Sequence, residues 1–282
     1  IWMVSMALEN GGEKSLTTKH YYQKIYSIYT AESVAYFVVG LISFLISWTI
    51  GKNVLLASVV TIPFTLLFLF TVNCLVRLKF KLKKLPDTNE VREASPLNEG
   101  QYFLGFLPAP TLHMVIFSTD GYLVGTMRDK RDTIWMWILP AFLLIFLPRN
   151  YILTDSKGNI VGEYRSRFGL NGQIDILNGN QEKIGTYKQS KQLGKKSASS
   201  IINPYGIRQY GGEMRHGSEF VVNQTYDKRQ IIHYSCGWMP AYYSKYFPDP
   251  NMPFLTFTEG ATEDEKRIGY CFCLDYLQKQ NH

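Results

Sequence analysis

The five histidines of this chain are candidates for acid–base catalysis or for metal binding, but they are scattered. They are His20, His113, His216, His233 and His282. None belongs to an HExxH pair, and the chain has no G-x-S-x-G nucleophile motif and no phosphate-binding P-loop. His233 stands between two strand-forming residues, which indicates a strand histidine rather than a general base. We therefore predict that the protein is not an enzyme.

The cysteines do not indicate a disulfide framework or a metal site. The chain has 282 residues and four cysteines, namely Cys74, Cys236, Cys271 and Cys273. Small disulfide-rich domains are much denser in cysteine than this. The pair Cys271 and Cys273 also lacks a second Cys or His pair at the spacing of a zinc site. We predict small buried side chains in a reducing compartment, with no metal and no cofactor.

Two clusters of basic residues could bind an anionic ligand. The first, the basic collar, consists of Arg77, Lys79, Lys81, Lys83 and Lys84. The second, the lysine loop, consists of Lys188, Lys191, Lys195 and Lys196. The collar supplies five of the formal net charge of +7, so the basicity is concentrated in one short segment. Because the chain also lacks zinc-finger, RNP-like and helix-turn-helix patterns, we predict no nucleic-acid partner.

Both clusters have a functional and a simpler interpretation. A basic residue near a bilayer attracts anionic phospholipid headgroups with about 1 kcal/mol. The collar could bind such headgroups, or it could only set the membrane topology. The lysine loop could be a solvated loop, or it could form a headgroup site that works together with the collar. In that second case, the anchored collar would raise the effective concentration of a weak site.

One acidic residue, Asp275, interrupts an apolar segment close to the end of the chain. Residues 263–278 are predicted to form a helix, since Thr262 and Glu265 have the spacing of a capping box. The apolar residues surround this helix instead of forming a stripe, which predicts burial on all sides. A buried carboxylate needs a partner, and we expect a structural hydrogen bond or salt bridge.

The chain contains two long stretches without a charged residue, 33–51 and 53–76. A helix needs about 20 apolar residues to cross the bilayer, so both stretches are predicted to be transmembrane helices. Lys52 separates them, which predicts a tight hairpin, and Pro63 is tolerable inside a membrane helix. A helical hairpin buried inside a soluble protein is the alternative.

The positive-inside rule orients this hairpin. It places the basic collar and both chain termini in the cytoplasm, with Lys52 on the outside. We therefore predict a cell-membrane protein with two spans. Its parts are a cytoplasmic segment at 1–31, the hairpin at 32–76, the collar and a linker at 77–99, and a final domain at 100–282.

A third apolar run, residues 134–148, is short for a membrane span and has Pro140 at its centre. We expect it to be buried inside the final domain. Insertion into the membrane interface is the alternative, because Trp135 and Trp137 lie at one end of the run.

One sequence pattern, which we call the repeated phrase, occurs three times in the final domain, at residues 116–128, 151–167 and 174–188. In each copy an apolar strand ends at a turn rich in Asp, Asn and Gly, which tolerate tight backbone geometry. A glycine then recurs in the second strand, where it would mark a bulge or a close backbone approach. The phrase therefore predicts three β-hairpins, and their uneven spacing favours a curled meander over a solenoid.

Further strands are expected around residues 102–106, 142–147, 219–226, 229–236 and 253–258, which gives about a dozen. A mainly-β domain of about twelve antiparallel strands, closed into a barrel around the apolar terminal helix, is the predicted architecture.

The region from residue 100 to the end resembles the tubby C-terminal-like superfamily, which includes LURP-one-related proteins and phospholipid scramblases. The resemblance rests on the three hairpin phrases and on the terminal helix, and it is to a bacterial-type, membrane-anchored form. It implies a barrel of about 12 strands around a central helix. Tubby proteins bind phosphoinositide headgroups through basic side chains, whereas the apolar helix of scramblases has been proposed to lie in the membrane. Here the hydrophobic hairpin precedes the barrel and no clear tubby-type lipid motif occurs, so no binding residue is carried over.

Three functions are compatible with these patterns. The first is a non-enzymatic, membrane-anchored tubby-like module that binds anionic phospholipid headgroups or a membrane-associated partner on the cytoplasmic side. The second is a scramblase-like protein that moves lipid between leaflets. The third is a regulatory or scaffolding subunit with a protein partner.

Overall fold

The computed structural model describes residues 17–51, 54–86, 92–109, 111–131, 148–166, 173–190, 198–215, 218–237 and 239–280. They form two compact units, a helical unit up to residue 86 and a barrel unit from residue 92. Several predictions concern residues outside the described ones, namely Lys52, the apolar run up to residue 147 with its expected strand at 142–147, Lys191, Lys195 and Lys196.

The helical unit consists of two long helices, α1 over Thr18–Gly51 and α2 over Val54–Lys84. Apolar side chains cover both helices, and most of the large ones are exposed. By length and composition, both helices are suited to cross a membrane. The two helices pack closely at Gly40, where an added Cβ would lie 3.2 Å from the Cβ of Phe64.

The barrel unit contains a closed barrel of twelve antiparallel strands. The first six are β1 (Gln101–Phe106), β2 (His113–Ser118), β3 (Leu123–Asp129), β4 (Asn150–Asp155), β5 (Ile160–Ser166) and β6 (Gln173–Asn178). The others are β7 (Lys183–Ser190), β8 (Ala198–Ile202), β9 (Arg208–Met214), β10 (Glu219–Gln224), β11 (Gln230–Ser235) and β12 (Phe254–Phe257). Each strand pairs with its neighbours in sequence, and β12 closes on β1. The predicted barrel is confirmed, although β8 and β9 have no counterpart in the sequence prediction.

Two helices also belong to the described part of the barrel unit. A 3₁₀ helix spans Ala241–Lys245 between β11 and β12, and the helix α3 spans Glu263–Gln280.

The up-and-down strand order gives the barrel two different ends. Short turns join β2 to β3, β4 to β5, β6 to β7, β8 to β9 and β10 to β11, and they all lie at one end, which we call the turn end. The helix α3 begins at the turn end, because it follows β12. The opposite ends of these strands define the other end of the barrel, which we call the loop end.

Three of the turns share one hydrogen-bonding pattern, and two of them belong to copies of the repeated phrase. The side-chain oxygens of Asp155, Asn178 and Asn203 each accept hydrogen bonds from the backbone N–H groups two and four residues later. The fourth residue of each turn has a positive φ, such as 86° at Gly158. Asp, Asn and Gly suit this geometry, so the local sequence determines the hairpin.

The repeated glycine of each phrase follows a β-bulge. Gly125, Gly162 and Gly185 each come directly after a residue that is skipped in the strand pairing. A Cβ at Gly125 would lie 2.2 Å from the carbonyl oxygen of Thr154, and one at Gly185 would lie 3.0 Å from a methyl group of Ile201. The bulges bend the strands, and the missing side chains let neighbouring strands come close at two of these positions.

The helix α3 fills the interior of the barrel. Its apolar side chains are buried and belong to the same core as the inward-facing side chains of the strands. The hydroxyl group of Tyr164 donates a hydrogen bond to the carbonyl oxygen of Arg267 across 2.9 Å. The ring of Phe272 packs edge-on against Tyr187, with 5.2 Å between the centroids. The predicted terminal helix is therefore present, and strands on different sides of the barrel pack against it.

Residues 94–99, which the sequence analysis assigns to the linker, are part of the barrel unit. The backbone N–H of Ala94 donates to the hydroxyl oxygen of Ser156 across 3.0 Å, and the N–H of Ser156 donates back to the carbonyl of Ala94 across 3.2 Å. The buried ammonium group of Lys266 donates to the carbonyl oxygen of Leu97 across 2.6 Å. These contacts show that the chain enters the barrel unit at the turn end.

Candidate membrane and lipid-binding surfaces

The basic collar occupies the last turns of α2. Lys81, Lys83 and Lys84 lie in its final turn, where cations complement the negative end of the helix dipole. Arg77, Lys79, Lys83 and Lys84 are exposed, and Lys81 is half-buried. Because a helix has 3.6 residues per turn, this spacing distributes the charges around the helix axis. The collar is thus a belt of positive charge directly after the apolar part of α2, and it can attract anionic headgroups from several sides.

Lys188 is the described member of the lysine loop, and it belongs to β7. Its side chain is exposed on the outer face of the barrel, between Gln173 of β6 and Ser200 of β8. It lies near the loop end of β7, whereas the chain enters the barrel unit at the turn end. Within the barrel unit, Lys188 and the point of chain entry are therefore at opposite ends.

Asp275 is half-buried rather than fully buried, and Tyr187 is its partner. The hydroxyl group of Tyr187 donates a hydrogen bond to Oδ2 of Asp275 across 2.5 Å. Burial, together with the nearby carboxylate, raises the pKa of Tyr187 far above its ordinary range, so its hydroxyl group remains a donor. Asp275 lies in the part of α3 that points towards the loop end. The contact anchors α3 to β7.

Asp129 is a buried acidic residue that the sequence analysis does not single out. It ends β3 and is only 2% exposed. Its Oδ1 accepts a hydrogen bond from the backbone N–H of Arg131 across 3.0 Å, while Oδ2 has no hydrogen-bond partner among the described residues. Burial raises the pKa of Asp129, and the neighbouring Arg131 and Arg149 partly oppose this rise. The burial of Asp129 is not evident from the sequence, because its neighbours are charged and the segment resembles a solvated loop.

The described residues contain no group of His, Cys, Asp and Glu side chains that could hold a metal ion. His233 lies on β11, with its Nε2 atom 3.9 Å from a carboxylate oxygen of Glu219. Cys271 and Cys273 are buried in α3, and burial raises the pKa of both thiols. Such thiols are poor nucleophiles, because the reactive thiolate form is disfavoured. This part of the chain therefore offers no arrangement typical of catalysis.

The barrel unit exposes aromatic side chains at its turn end and on its outer wall. At the turn end, Tyr205 and Tyr226 have 88% and 73% of their surfaces exposed. Tyr242 in the 3₁₀ helix is 67% exposed and precedes Tyr243, whose ring lies 5.2 Å from that of Phe103 in the middle of β1. The ammonium group of Lys245 lies 4.5 Å from the ring centroid of Tyr242 and 4.6 Å from that of Tyr246. Sequence alone does not separate these tyrosines from those of the core, because tyrosine is common in buried strands as well.

Comparisons with known proteins give little further information. No known protein family matches the sequence. No curated protein matches it either. A crystal structure of a protein from Arabidopsis thaliana is similar in fold, with 10% sequence identity and a TM-score of 0.42. The match covers 67% of this chain and 95% of that chain.

Proposed function

We propose that the protein is a non-enzymatic, membrane-anchored, tubby-like module that binds anionic lipid headgroups at the cytoplasmic face of the cell membrane. The observation that carries this proposal is the position of the basic collar. Its cationic side chains follow directly on an apolar helix that is long enough to span a bilayer. This order of apolar span and cationic belt is typical of a segment that anchors in a membrane and attracts anionic lipid.

The surface of α1 and α2 supports the membrane anchor. Their large apolar side chains are exposed along most of both helices. Such a surface is unfavourable in water and favourable in hydrocarbon. By the positive-inside rule, we expect the collar to lie on the cytoplasmic side. Because two spans return the chain to the side from which it started, we expect the barrel unit and both termini on that side as well.

The barrel unit supports the tubby-like part of the proposal. It has the closed barrel of twelve strands around an apolar helix that the resemblance implies. Because α3 fills the barrel interior, we expect a ligand to bind at the surface. A charged headgroup suits such a site, since it remains partly hydrated while it contacts basic side chains. A membrane-associated protein partner is the competing occupant.

The test uses the full-length protein in two kinds of nanodisc, one of phosphatidylcholine and one that also contains phosphatidylserine. Amide hydrogen exchange then reports which parts of the barrel unit contact the bilayer. We expect slower exchange at one surface of the barrel only when phosphatidylserine is present. The effect should weaken with salt, because the Debye length falls from about 10 Å at 0.1 M to about 3 Å at 1 M.

A variant with all collar residues replaced by glutamine separates anchoring from headgroup binding. If the barrel unit binds headgroups itself, its protection should survive in this variant at a reduced level. Equal exchange in both kinds of nanodisc would reject lipid binding by the barrel and would favour a protein partner.

A further inference from the structure

Two adjacent turns form an aromatic tip at the turn end of the barrel. Tyr205 lies in the turn between β8 and β9, and Tyr226 lies in the turn between β10 and β11. The backbone N–H of Thr225 donates to the carbonyl oxygen of Gln209 across 2.8 Å, and β9 pairs with β10, so the two turns lie side by side. Ile207, in the first turn, is also 49% exposed. We call Tyr205, Ile207, Arg208, Tyr226 and Lys228 the turn-end tip.

The geometry of the turn does not require an aromatic residue there. In the three turns with a shared hydrogen-bonding pattern, the residue two positions after the first is Lys157, Asn180 or Tyr205. Lys157 and Asn180 are polar, as expected for a turn that faces solvent. Tyr205 occupies the same position and is almost fully exposed. A large apolar surface without a local structural role indicates a contact with another surface.

One cation, Lys228, belongs to the turn of Tyr226, and another, Arg208, begins β9 directly after the turn of Tyr205. Arg208 and Lys228 are exposed, and neither forms an ion pair with the part of the chain that the structure describes. Arg229, by contrast, is paired with Glu265 across 2.5 Å. Asp227 adds one negative charge to the tip, and its Oδ1 accepts a hydrogen bond from the backbone of Arg229. Exposed tyrosines with a small excess of positive charge are the composition that suits the headgroup level of a bilayer.

The chain also enters the barrel unit at the turn end. Residues 94–99 are fixed there by Ser156 and Lys266. Only residues 85–93 separate this segment from Lys84, the last residue of the collar. A short tether raises the effective concentration of a weak surface site, and this gain favours sites close to the point of attachment.

We infer that the turn-end tip docks on the bilayer surface, with Tyr205 and Tyr226 at the headgroup level and with Arg208 and Lys228 near lipid phosphates. This inference rests on the proposed function and identifies the surface of the barrel unit that meets the membrane. Tyr242 provides a matched comparison. It is similarly exposed but lies in the 3₁₀ helix, outside the turn-end tip, next to a lysine that contacts two aromatic rings.

The test places a polarity-sensitive NBD fluorophore at single positions of the full-length protein in nanodiscs. The two accessible thiols are first removed by Cys74→Ala and Cys236→Ala. Cys271 and Cys273 stay, because they are fully buried and do not react. The labelled variants are Tyr205→Cys, Tyr226→Cys and, as the control outside the turn-end tip, Tyr242→Cys.

We expect a blue shift and quenching by brominated lipid at positions 205 and 226 in nanodiscs with phosphatidylserine. Position 242 should show neither effect. The shift should be smaller in nanodiscs of pure phosphatidylcholine, because that zwitterionic surface has no net negative charge to attract the tip. Thermal unfolding of each labelled protein checks that the fold is retained.

Charge variants test the two cations separately from the tyrosines. Arg208→Gln and Lys228→Gln should each lower the ratio of docked to undocked barrel units about fivefold, the factor that corresponds to about 1 kcal/mol per charge. Lys245→Gln is the matched control and should leave the ratio unchanged.

The outcomes separate this inference from the proposed function. A response at position 242 but not at 205 or 226 would overturn the inference and leave lipid binding by the barrel intact. No response at any of the three positions would reject both and would indicate a protein partner for the tip.

Discussion

Tyr187 and Asp275 are joined by a hydrogen bond of 2.5 Å, which links the middle of the barrel wall to the helix inside it. Tyr187 lies on β7 and is almost fully buried, whereas Asp275 on α3 is half-buried. The phenol keeps its proton and donates a hydrogen bond to the carboxylate, because burial and the carboxylate both oppose its ionisation and raise its pKa. The pair therefore fixes the position of α3 relative to the strands.

Removal of the Tyr187 hydroxyl group should destabilise the barrel. Tyr187→Phe leaves the ring in place but removes the donor, and hydrogen bonds to charged groups contribute about 1.5–3 kcal/mol. We expect a loss of this size in the free energy of unfolding, measured by urea denaturation in detergent. Tyr226→Phe is the control, since that side chain is exposed, and it should change stability by less than about 0.5 kcal/mol. Equal effects of the two variants would show that the bond to Asp275 contributes nothing.

The buried tyrosines predict a loss of stability at alkaline pH. Burial raises the pKa above the ordinary value of 10.0 at Tyr102, Tyr164, Tyr187, Tyr234 and Tyr270. The folded state therefore keeps protons that the unfolded chain loses above pH 10. The contribution of these tyrosines is complete below pH 10, and each loses about 1.4 kcal/mol for every further pH unit. Lys266 acts in the opposite direction, because burial lowers its pKa, but it is a single group.

This pH dependence can be measured by urea unfolding in detergent from about pH 8 to about pH 11. The free energy of unfolding should fall steeply in the upper part of this range. Ultraviolet absorbance reports ionised tyrosine directly. The appearance of ionised tyrosine from all five positions before unfolding would contradict the prediction.

The bulge glycines should differ in their tolerance of a side chain. Gly125→Ala places a Cβ 2.2 Å from a backbone oxygen, which cannot move without a shift of β4. Overpacking of this kind costs about 1–3 kcal/mol or more. Gly162→Ala is the control at the same place in the next hairpin, where the nearest atom is 3.6 Å away. We expect urea denaturation to show a clear loss for Gly125→Ala and a smaller one for Gly162→Ala, and the reverse order would contradict the assigned role.

Lys266 should hold the start of the barrel unit in place. Lys266→Met keeps an unbranched side chain that is one atom shorter and removes the donor to the carbonyl oxygen of Leu97. A buried acceptor without a partner costs about 1–3 kcal/mol. We expect faster amide hydrogen exchange in residues 94–99, with little change in the strands far from this segment. Lys228→Met, at an exposed lysine, is the control, and the same increase in both variants would contradict this role.

The basic collar should determine the orientation of the protein in the membrane. Replacement of its five members by glutamine removes most of the positive charge that flanks the hairpin on that side. We expect a mixed population, in which some molecules place the barrel unit outside the cell. A thiol introduced at Tyr242, which is exposed and lies outside the turn-end tip, reports the side through its reaction with an impermeant reagent. An unchanged orientation would show that the collar serves another purpose.

Local sequence patterns were sufficient to predict several elements of this structure. The charge-free stretches at 33–51 and 53–76 predicted the two apolar helices. The length and hydrophobicity that suit a helix to a membrane are properties of each segment alone and need no distant partner. Asp155 and Asn178 predicted hairpins, because a side chain that bonds its own turn needs no distant partner. The terminal helix was evident from its capping box and its apolar residues.

The hairpin from β8 to β9 was missed. Its turn begins at Asn203 and has the same hydrogen bonds as the others. The residues of β9, such as Gly211 and Gly212, lack the alternation of apolar and polar residues that indicates a strand. Gly212 is required because the ring of Phe272 lies where a Cβ would be.

The sequence by itself determined the elements of this protein, namely two apolar helices, a series of hairpins and a buried terminal helix. The tertiary structure decided which residues meet: β1 with β12, Tyr187 with Asp275, Lys266 with Leu97, and the turn of Tyr205 with the turn of Tyr226. Turn chemistry, helix capping and apolar length act over a few neighbouring residues, so they can be recognised in the sequence. Contacts between distant residues depend on how the barrel closes around α3, and closure is a property of the whole unit.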